Sequence, residues 1–551
     1  MAAKSILDLV DVQFQDATNH TSITSTDTIG MVMPFYWGES DKTRVYTRTE
    51  FFEMYPESLP VGVTGITDTD IYSGYAQIKN AFSHGAGEVE IYRPSEGWKF
   101  QGITITNEGG VAAKAAALDG EKFDETKAVS ISLKYAGFVP QSLAYGYDNV
   151  AFAVKFANST DYTDGTMITV AVFGKKGNAY DTTPIEVFEG AADPNANIGG
   201  ESIFLEDVVN GNSQIIDVRV TANVKIASPT ETQLAYQYFD CATYAIAAPT
   251  VDATFKSGIV KGYDMFEDYE SSVCTLLMTP FVSVKTKIVD EVLIDTFDSQ
   301  IKNIAEYRKN CLAVVGYPID YNSDYTKENV ETYFSTHPGK GSKFVVAVQG
   351  CEYVTVFGQR FTLNCVGGYC GAMVNIAKEA HLNQIASGYV YGNYGGSLKK
   401  SLLSGKAIDL MEVGINSVFA SKRGNIIWGT RTMYSRQSSY FGKINVMRVC
   451  SMLLKNIFPI AIETLHTDAA SNPITRASLS TMLNSIIDTY IANQDLHADS
   501  YADCSDSINT DYLTKGGTVL NIILSLHFIG LVERVSIKII ATDTSVTAEF
   551  V

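Results

Sequence analysis

The sequence predicts an α/β (α+β) multidomain protein, and three observations carry that prediction. At 551 residues the chain is long enough for about two to four domains, each with a core of its own. Strand, helix and strand alternate between 191 and 344 and again after 344, the texture of a parallel α/β unit. Between about 98 and 190 the texture changes to short β-rich runs separated by Gly, Asp and Asn, which predicts a self-contained β domain inserted in the chain.

Composition narrows the function classes. The 61 acidic residues outnumber the 42 basic ones, giving a net charge of −19, so a nucleic-acid groove is not expected as the main surface. An acidic exterior repels phosphate backbones, favours solubility and pairs with basic partners. The opening MAAKSILDLVDVQF lacks the apolar core and cleavage site of a secretory signal, and the apolar run Thr518 to Val532 is interrupted by Asn521 and His527 and too short to span a bilayer. A protein made and kept in the cytoplasm is the simplest expectation. The eight cysteines are scattered, several inside apolar runs, as buried free thiols are.

In chain order, residues 6 to 16 alternate Val10, Val12 and Phe14 with Asp11, Gln13 and Gln15, the period of a half-buried strand. The polar run Thr18 to Thr28 separates it from the body, so it is either an edge strand of its own domain or an arm added to a neighbour's sheet. From Ile29 a strand leads to a turn at Trp37-Gly38, a second strand crosses Arg44 to Tyr46, and a helix after Thr47 carries Phe51, Phe52 and Tyr55. Tyr72 to Phe82 has helical spacing and is followed by the turn Gly85-Ala86-Gly87 and a strand Val89 to Arg93.

The β-rich region holds runs at Ile103 to Thr106, Val129 to Leu133, Val150 to Phe156 and Met167 to Phe173, with the alanine-rich Val111 to Leu118 expected as a short helix. Strands are predicted at Ile215 to Val220, Val273 to Met278, Leu312 to Val315 and Phe344 to Val348, with helices at Thr296 to Tyr307 and Ala372 to Gln384. A helix from Ala407 to Val413 stops at Gly414, ahead of Ile415-Asn416. Lys443 to about Ile462 is apolar nearly all round and so central, with a kink expected at Pro459. An amphipathic helix follows from Arg476 to about Gln494. After Gly530, Val535, Ile537 and Ile539 alternate with polar residues, as do Val546, Ala548 and Phe550.

A search for chemistry returns structural readings. Gly-Lys occurs at 174, 339, 405 and 442, never followed by Ser or Thr, so there is no P-loop. Gly367-Gly368-Tyr369-Cys370-Gly371 before a helix is a place where backbone amides could hold a phosphate, but Val366 occupies the first glycine position and tight helix packing explains the rest. No G-x-S-x-G elbow, H-E-x-x-H or paired C-x-x-C occurs. The loose acidic stretch Asp495, Asp499, Asp503, Asp506 and Asp511 lacks the spacing of a Ca²⁺ loop. It reads as a solvated loop or an acidic surface facing a basic partner. No catalytic residue, metal ligand or cofactor is expected.

One stretch organises the rest: Arg423 to Arg448, RGNIIWGTRTMYSRQSSYFGKINVMR. A turn at Gly424, a short strand carrying Trp428, the step Gly429-x-Arg431-Thr432, an aromatic loop and a helix entered as I-N-V-x-R follow one another, with Gly414-Ile415-Asn416 just upstream. In this order the chain resembles the tail sheath proteins of contractile phage tails and related injection machines. The N-terminal block agrees, through Trp37-Gly38, Phe51-Phe52, Gly85-x-Gly87 and Tyr92-Arg93. ESIFLEDVVNGNSQIIDVRV and YRKNCLAVVGYP also resemble family segments. The chain departs from the pattern in reading HTDAASNPITR where the family often has Glu-Pro-Asn, and in lacking a Pro-Trp step after the 344 strand.

The resemblance implies a mixed core domain built from N- and C-terminal parts and carrying two insertions: an N-terminal arm 1–28, core 29–97, β-rich outer domain 98–190, inserted α/β domain 191–343, core 344–532 and C-terminal arm 533–551. It implies a non-enzymatic subunit that polymerises in stacked rings around an inner tube and contracts to drive the tube through a host envelope for genome delivery. Its partners would be other copies of itself, the tail tube protein, and baseplate and terminator proteins, with no direct nucleic-acid contact and no membrane insertion. Its place would be the virion tail, assembled in the host cytoplasm. Trp37, Gly38, Gly414, Asn416, Gly424, Trp428, Gly429, Arg431, Thr432 and Arg448 would be structural motif residues, Arg431 holding loop carbonyls. Val10, Val12, Phe14, Val535, Ile537, Ile539, Val546 and Phe550 would be exchanged between subunits. A bacteriocin or secretion-type sheath is the same-class alternative, and a nucleotide-binding Rossmann-like enzyme the different-class one.

Overall fold

The computed structural model describes residues 27–66, 69–114, 121–242, 250–322, 324–436, 438–470, 472–509, 519–531, 537–541 and 546–550. Its centre is an eight-stranded sheet in the order Thr43–Thr47, Glu88–Tyr92, Ile29–Val32, Leu276–Leu277, Leu312–Gly316, Val345–Gln349, Ile415–Ser421 and Gly424–Trp428. The six inner strands run parallel and the two outer ones antiparallel. Ile29–Val32, Leu312–Gly316 and Val345–Gln349 are buried at every position, as strands covered on both faces must be.

Four expectations change here. The 191–343 segment is not a separate inserted α/β domain: its strands Leu276–Leu277 and Leu312–Gly316 fill the middle of the core sheet, between Ile29–Val32 and Val345–Gln349. The boundary drawn at 190 also falls inside β structure. Ile216–Val220 pairs with Val129–Leu133, and Gln237–Asp240 pairs with Asn149–Ala157, so the β-rich region runs on to about Asp240. Pairing partners far apart in sequence leave no local signature, which is why the texture of each segment was legible and its neighbours were not. The alanine-rich piece is likewise corrected, since Val111–Lys114 is a strand antiparallel to Gly102–Ile105. The strand expected at Val273 to Met278 shrinks to Leu276–Leu277, and Val273 is exposed.

The β-rich region is built mainly on two sheets, one of the 102–105, 111–114, 129–133 and 216–220 strands, the other based on Asn149–Ala157 and Met167–Lys176, beside a small hairpin of Asn197–Ile198 with Glu201–Ser202. Ile103, Ile131, Phe152, Val154, Val170 and Val172 are buried in the same continuous core as the central sheet. Arg93, at the end of a core strand, rivets the junction. Its guanidinium is fully buried and donates to the carbonyls of Phe35 (2.6 Å), Gly38 (3.0 Å) and, in the β-rich region, Ala136 (2.5 Å). Burial pulls its pKa down to about 10.

Helices Thr69–Ser83 and Val366–Glu379 pack almost backbone to backbone. A Cβ at Gly367 would collide with the Gln77 carbonyl and one at Gly371 with the Ala81 carbonyl, so the glycine run is a packing seam. The Gly367 amide, one of those that could have cradled a phosphate, donates instead to Gln77 Oε1 at 2.8 Å. The central helix Ile444–Glu463 continues through Pro459 without interruption. It is long and apolar enough to cross a membrane, yet its first three turns are buried within the fold. Helix Pro473–Ala492 lies against it, followed by the two-stranded sheet Tyr501–Asp503 with Ile523–Ser525. Near the C-terminus, Ile537–Ala541 and Val546–Phe550 form an antiparallel hairpin.

Candidate functional site

The motif stretch folds into a hairpin, a clamped loop and a helix. Ile415–Ser421 and Gly424–Trp428 pair antiparallel around the turn at Lys422-Arg423, with Gly424 at φ 110°. Gly414, at φ 83°, caps the preceding 3₁₀ turn as expected. The key side chain is Asn416, fully buried at the start of the hairpin. Its Nδ2 donates to the Ala347 carbonyl (3.0 Å) and the Arg431 carbonyl (2.8 Å), and its Oδ1 accepts from the Arg431 amide (3.2 Å). Gly429 sits at φ 143° with its Cα against this amide, where any Cβ would collide with Asn416 Oδ1. The Gly-hydrophobic-Asn and Gly-x-Arg-Thr steps are thus two halves of one clamp. The Arg431 amide and carbonyl both meet Asn416, which ties the loop to the Ala347 carbonyl of the core strand. Thr432, also buried, closes the far side by donating to the Phe441 carbonyl at 3.1 Å. Trp428 is half-buried and packs edge-on to Tyr389, and Trp37 is buried edge-on to Tyr135.

The helix entry I-N-V-x-R has a different task. Asn445 and Arg448, three residues apart, fall on one face of the central helix. The Arg448 guanidinium is buried in an ion pair with Asp27 and also donates to the carbonyls of Met373 (2.8 Å) and Gln384 (3.4 Å). Asp27 is itself held by the Thr275 hydroxyl at 2.9 Å. Asn445 donates to Asn383 Oδ1 (2.7 Å), whose Nδ2 donates to the Ile529 carbonyl (3.2 Å). The Asn383 amide donates to the buried carboxylate of Asp495 (2.5 Å), which also meets His381 Nδ1 (3.0 Å). One helical turn therefore anchors both Asp27, where the N-terminal segment joins the body, and Ile529, just before the C-terminal one. Asp27, Asn383, Asn445 and Asp495 were absent from the expected site residues. The only sequence signal was a pair of polar residues, i and i+3, on an otherwise apolar helix.

Among the residues expected to be exchanged, Val10, Val12, Phe14 and Val535 lie outside the described residues. Ile537, Ile539, Val546 and Phe550 lie in the C-terminal hairpin, where Ile537 is opposite Phe550. That hairpin pairs with no third strand among the described residues. The acidic stretch is partly consumed internally: Asp495 is fully buried, Asp506 pairs with Arg476 and Asp499 with His527.

Chemistry-bearing groups elsewhere are packed. All eight cysteines are free and buried. His337 Nε2 meets Asp298 (3.1 Å), which also accepts from the Thr279 hydroxyl (3.1 Å), but His337 and Asp298 are fully buried. Among the described residues no group of three or more His, Cys, Asp or Glu is placed to hold a metal ion.

No family model and no curated protein sequence matches the chain. Solved structures do. The chain is similar to the sheath tail protein of Desulfitobacterium hafniense, at 12% identity over 90% of this chain and 93% of that one, with a TM-score of 0.45. It is similar to the sheath tail protein of Listeria innocua, at 11% identity over 89% and 90%, with a TM-score of 0.49. It is also similar to a chain of the contracted helical sheath of the anti-feeding prophage, at 10% identity over 96% and 97%, with a TM-score of 0.46.

Proposed function

We propose that this chain is a structural subunit of a contractile sheath, a non-enzymatic part that polymerises around an inner tube and drives it forward by changing its packing. The observation that carries the reading is that one turn of the central helix holds Asp27 through Arg448 and Ile529 through Asn445 and Asn383, Asn445 and Arg448 being residues through which the sequence resembles sheath proteins. Fixed roots with strand-forming sequence beyond them suit arms that complete β structure in adjacent copies, because main-chain hydrogen bonds are directional and survive rigid-body rotation. The C-terminal hairpin supports this, since two strands alone are marginal in water and gain from a further partner. The energy of contraction would come from trapping subunits in one helical packing while another buries more surface, with no nucleotide consumed. Phage tail, bacteriocin and secretion-type sheaths share this physics, and the virion tail remains our specific assignment.

Negative-stain microscopy of the concentrated protein tests the reading: striated tubes or cogwheel rings are expected, and isolated globules at every concentration would sink it. Deleting residues 1 to 20 should leave a folded monomer, whereas polymers of normal length from that variant would remove the arm from the mechanism.

A further inference from the structure

The outer edge of the central sheet is the Gly424–Trp428 strand, and a segment of the same chain is strapped along it. The Ile427 amide donates to the Gly392 carbonyl (2.7 Å), the Tyr394 amide to the Asn425 carbonyl (2.9 Å), and Asn425 Nδ2 to the Gly396 carbonyl (2.6 Å). Gly392 to Gly396 thus blunts an edge that would otherwise present free pairing groups. The strap is pinned from beneath by one side chain. Tyr394 turns its hydroxyl inward onto Glu352 Oε1, which also accepts from Asn80 Nδ2 at 2.6 Å. Glu352 is fully buried, its Oε2 has no N–H or O–H partner, the weakly donating Cys365 thiol being the remaining polar group at the carboxyl, and a Cβ on Gly396 would strike that oxygen.

Among the described residues no cation is paired with this carboxyl. From helix Thr69–Ser83 comes Asn80 and, just past its end, His84, whose ring stacks on that of Tyr394 at 4.3 Å. Glu352 lies in a three-stranded sheet of Gln359–Asn364, Cys351–Val356 and Ser397–Lys400, which brings Cys351 and, just past the first of these strands, Cys365; helix Val366–Glu379 brings Gly368 up to the Tyr394 hydroxyl. Lys399 and Lys400 on the third strand are turned to the Thr362 hydroxyl and the Tyr325 ring, and Lys79 pairs with Glu57. A buried carboxylate with neutral partners and an orphan oxygen is costly, so the site favours the protonated acid.

We propose that Glu352 is a proton-operated latch on this strap: with Tyr394 seated, the acid form is buried at little cost and the Gly424–Trp428 edge stays covered, whereas ionisation makes that burial costly and favours release of the strap and exposure of the edge. The groups around it do not compete as the trigger near neutrality. Burial pushes the thiols of Cys351 and Cys365 and the Tyr394 hydroxyl up, and pulls His84 down. Burial likewise raises Glu352 from 4.5 to about 7. If release returns the carboxyl to water at 4.5, opening becomes about tenfold more favourable between pH 6 and pH 8.

Hydrogen–deuterium exchange of peptides covering 388–396 and 424–428, corrected for intrinsic exchange, tests this in the whole chain. Protection should fall about tenfold from pH 6 to pH 8 in the natural protein. It should stay level in Glu352→Gln, and at both pH values the strap of the natural protein should exchange well ahead of the Val345–Gln349 strand, which opens only with the whole sheet. Equal protection at the two pH values in the natural protein, or the same fall in the Gln variant, overturns the latch. The natural-protein comparison decides the matter even if the variant does not fold.

Discussion

Asn416, Asp27, Arg448 and Glu352 are buried polar side chains, and each has its hydrogen-bonding partners inside the fold where water does not compete. Asn416→Ala would strip the Ala347 and Arg431 carbonyls of their donor. A loss on the order of 3 kcal/mol is expected in chemical denaturation, the cost of unpaired buried groups. Asp27 and Arg448 form a buried pair, so Asp27→Asn and Arg448→Met should each cost about 3 to 5 kcal/mol. The double variant Asp27→Leu with Arg448→Met should cost less than the sum, and a strictly additive cycle would mean the pair is not coupled. Glu352 gives a pH dependence with a definite sign. Its folded pKa, about 7, lies above its ordinary 4.5, so the native state holds a proton that the unfolded state has lost. Stability therefore falls as pH rises through this window, by about 3 kcal/mol in all, and Glu352→Gln should flatten the curve measured by thermal unfolding.

At the scale of elements, the helix seam and the terminal hairpin make opposite predictions. Helices Thr69–Ser83 and Val366–Glu379 approach so closely that Gly371→Val drives methyl groups into the Ala81 carbonyl. A severe loss of stability is expected, because backbone cannot yield as a side chain end can. The hairpin Ile537–Ala541 with Val546–Phe550 pairs with no further strand among the described residues. Removing residues 532 to 551 should leave the melting temperature of the body within a few degrees while abolishing polymers. A collapse of the body on truncation would show that the hairpin belongs to it. The glycine run was readable as a seam from its sequence alone, since a run lacking the first glycine of a phosphate-binding fingerprint has packing as its remaining use.

For the molecule as a whole, the central sheet is drawn from segments on both sides of the β-rich region, 29–92 before it and 276–428 after it. Opening this sheet would break parallel pairings between strands hundreds of residues apart, such as Ile29 with Leu276. Such non-local pairing forms slowly, because loop closure precedes the contacts that reward it. Refolding of the full chain from denaturant is accordingly expected to be slow and to pass through a state in which the β-rich region is protected before the central sheet. Pulsed hydrogen exchange would reveal it, and simultaneous protection of both would contradict the order.

What the sequence determined by itself was most of the local texture. Periodicity marked the central helix, the alternating strands and the Asn416 to Arg448 succession, because side-chain spacing along one element is a property of neighbouring residues. Only the tertiary structure decided which strands lie beside which. It moved the 276–316 strands into the heart of the sheet, turned Val111–Lys114 from helix to strand, and brought Asp27, Arg448, Asn383 and Ile529 to one turn of helix. Those outcomes depend on which distant surfaces exclude water from each other, and no window of sequence contains both partners.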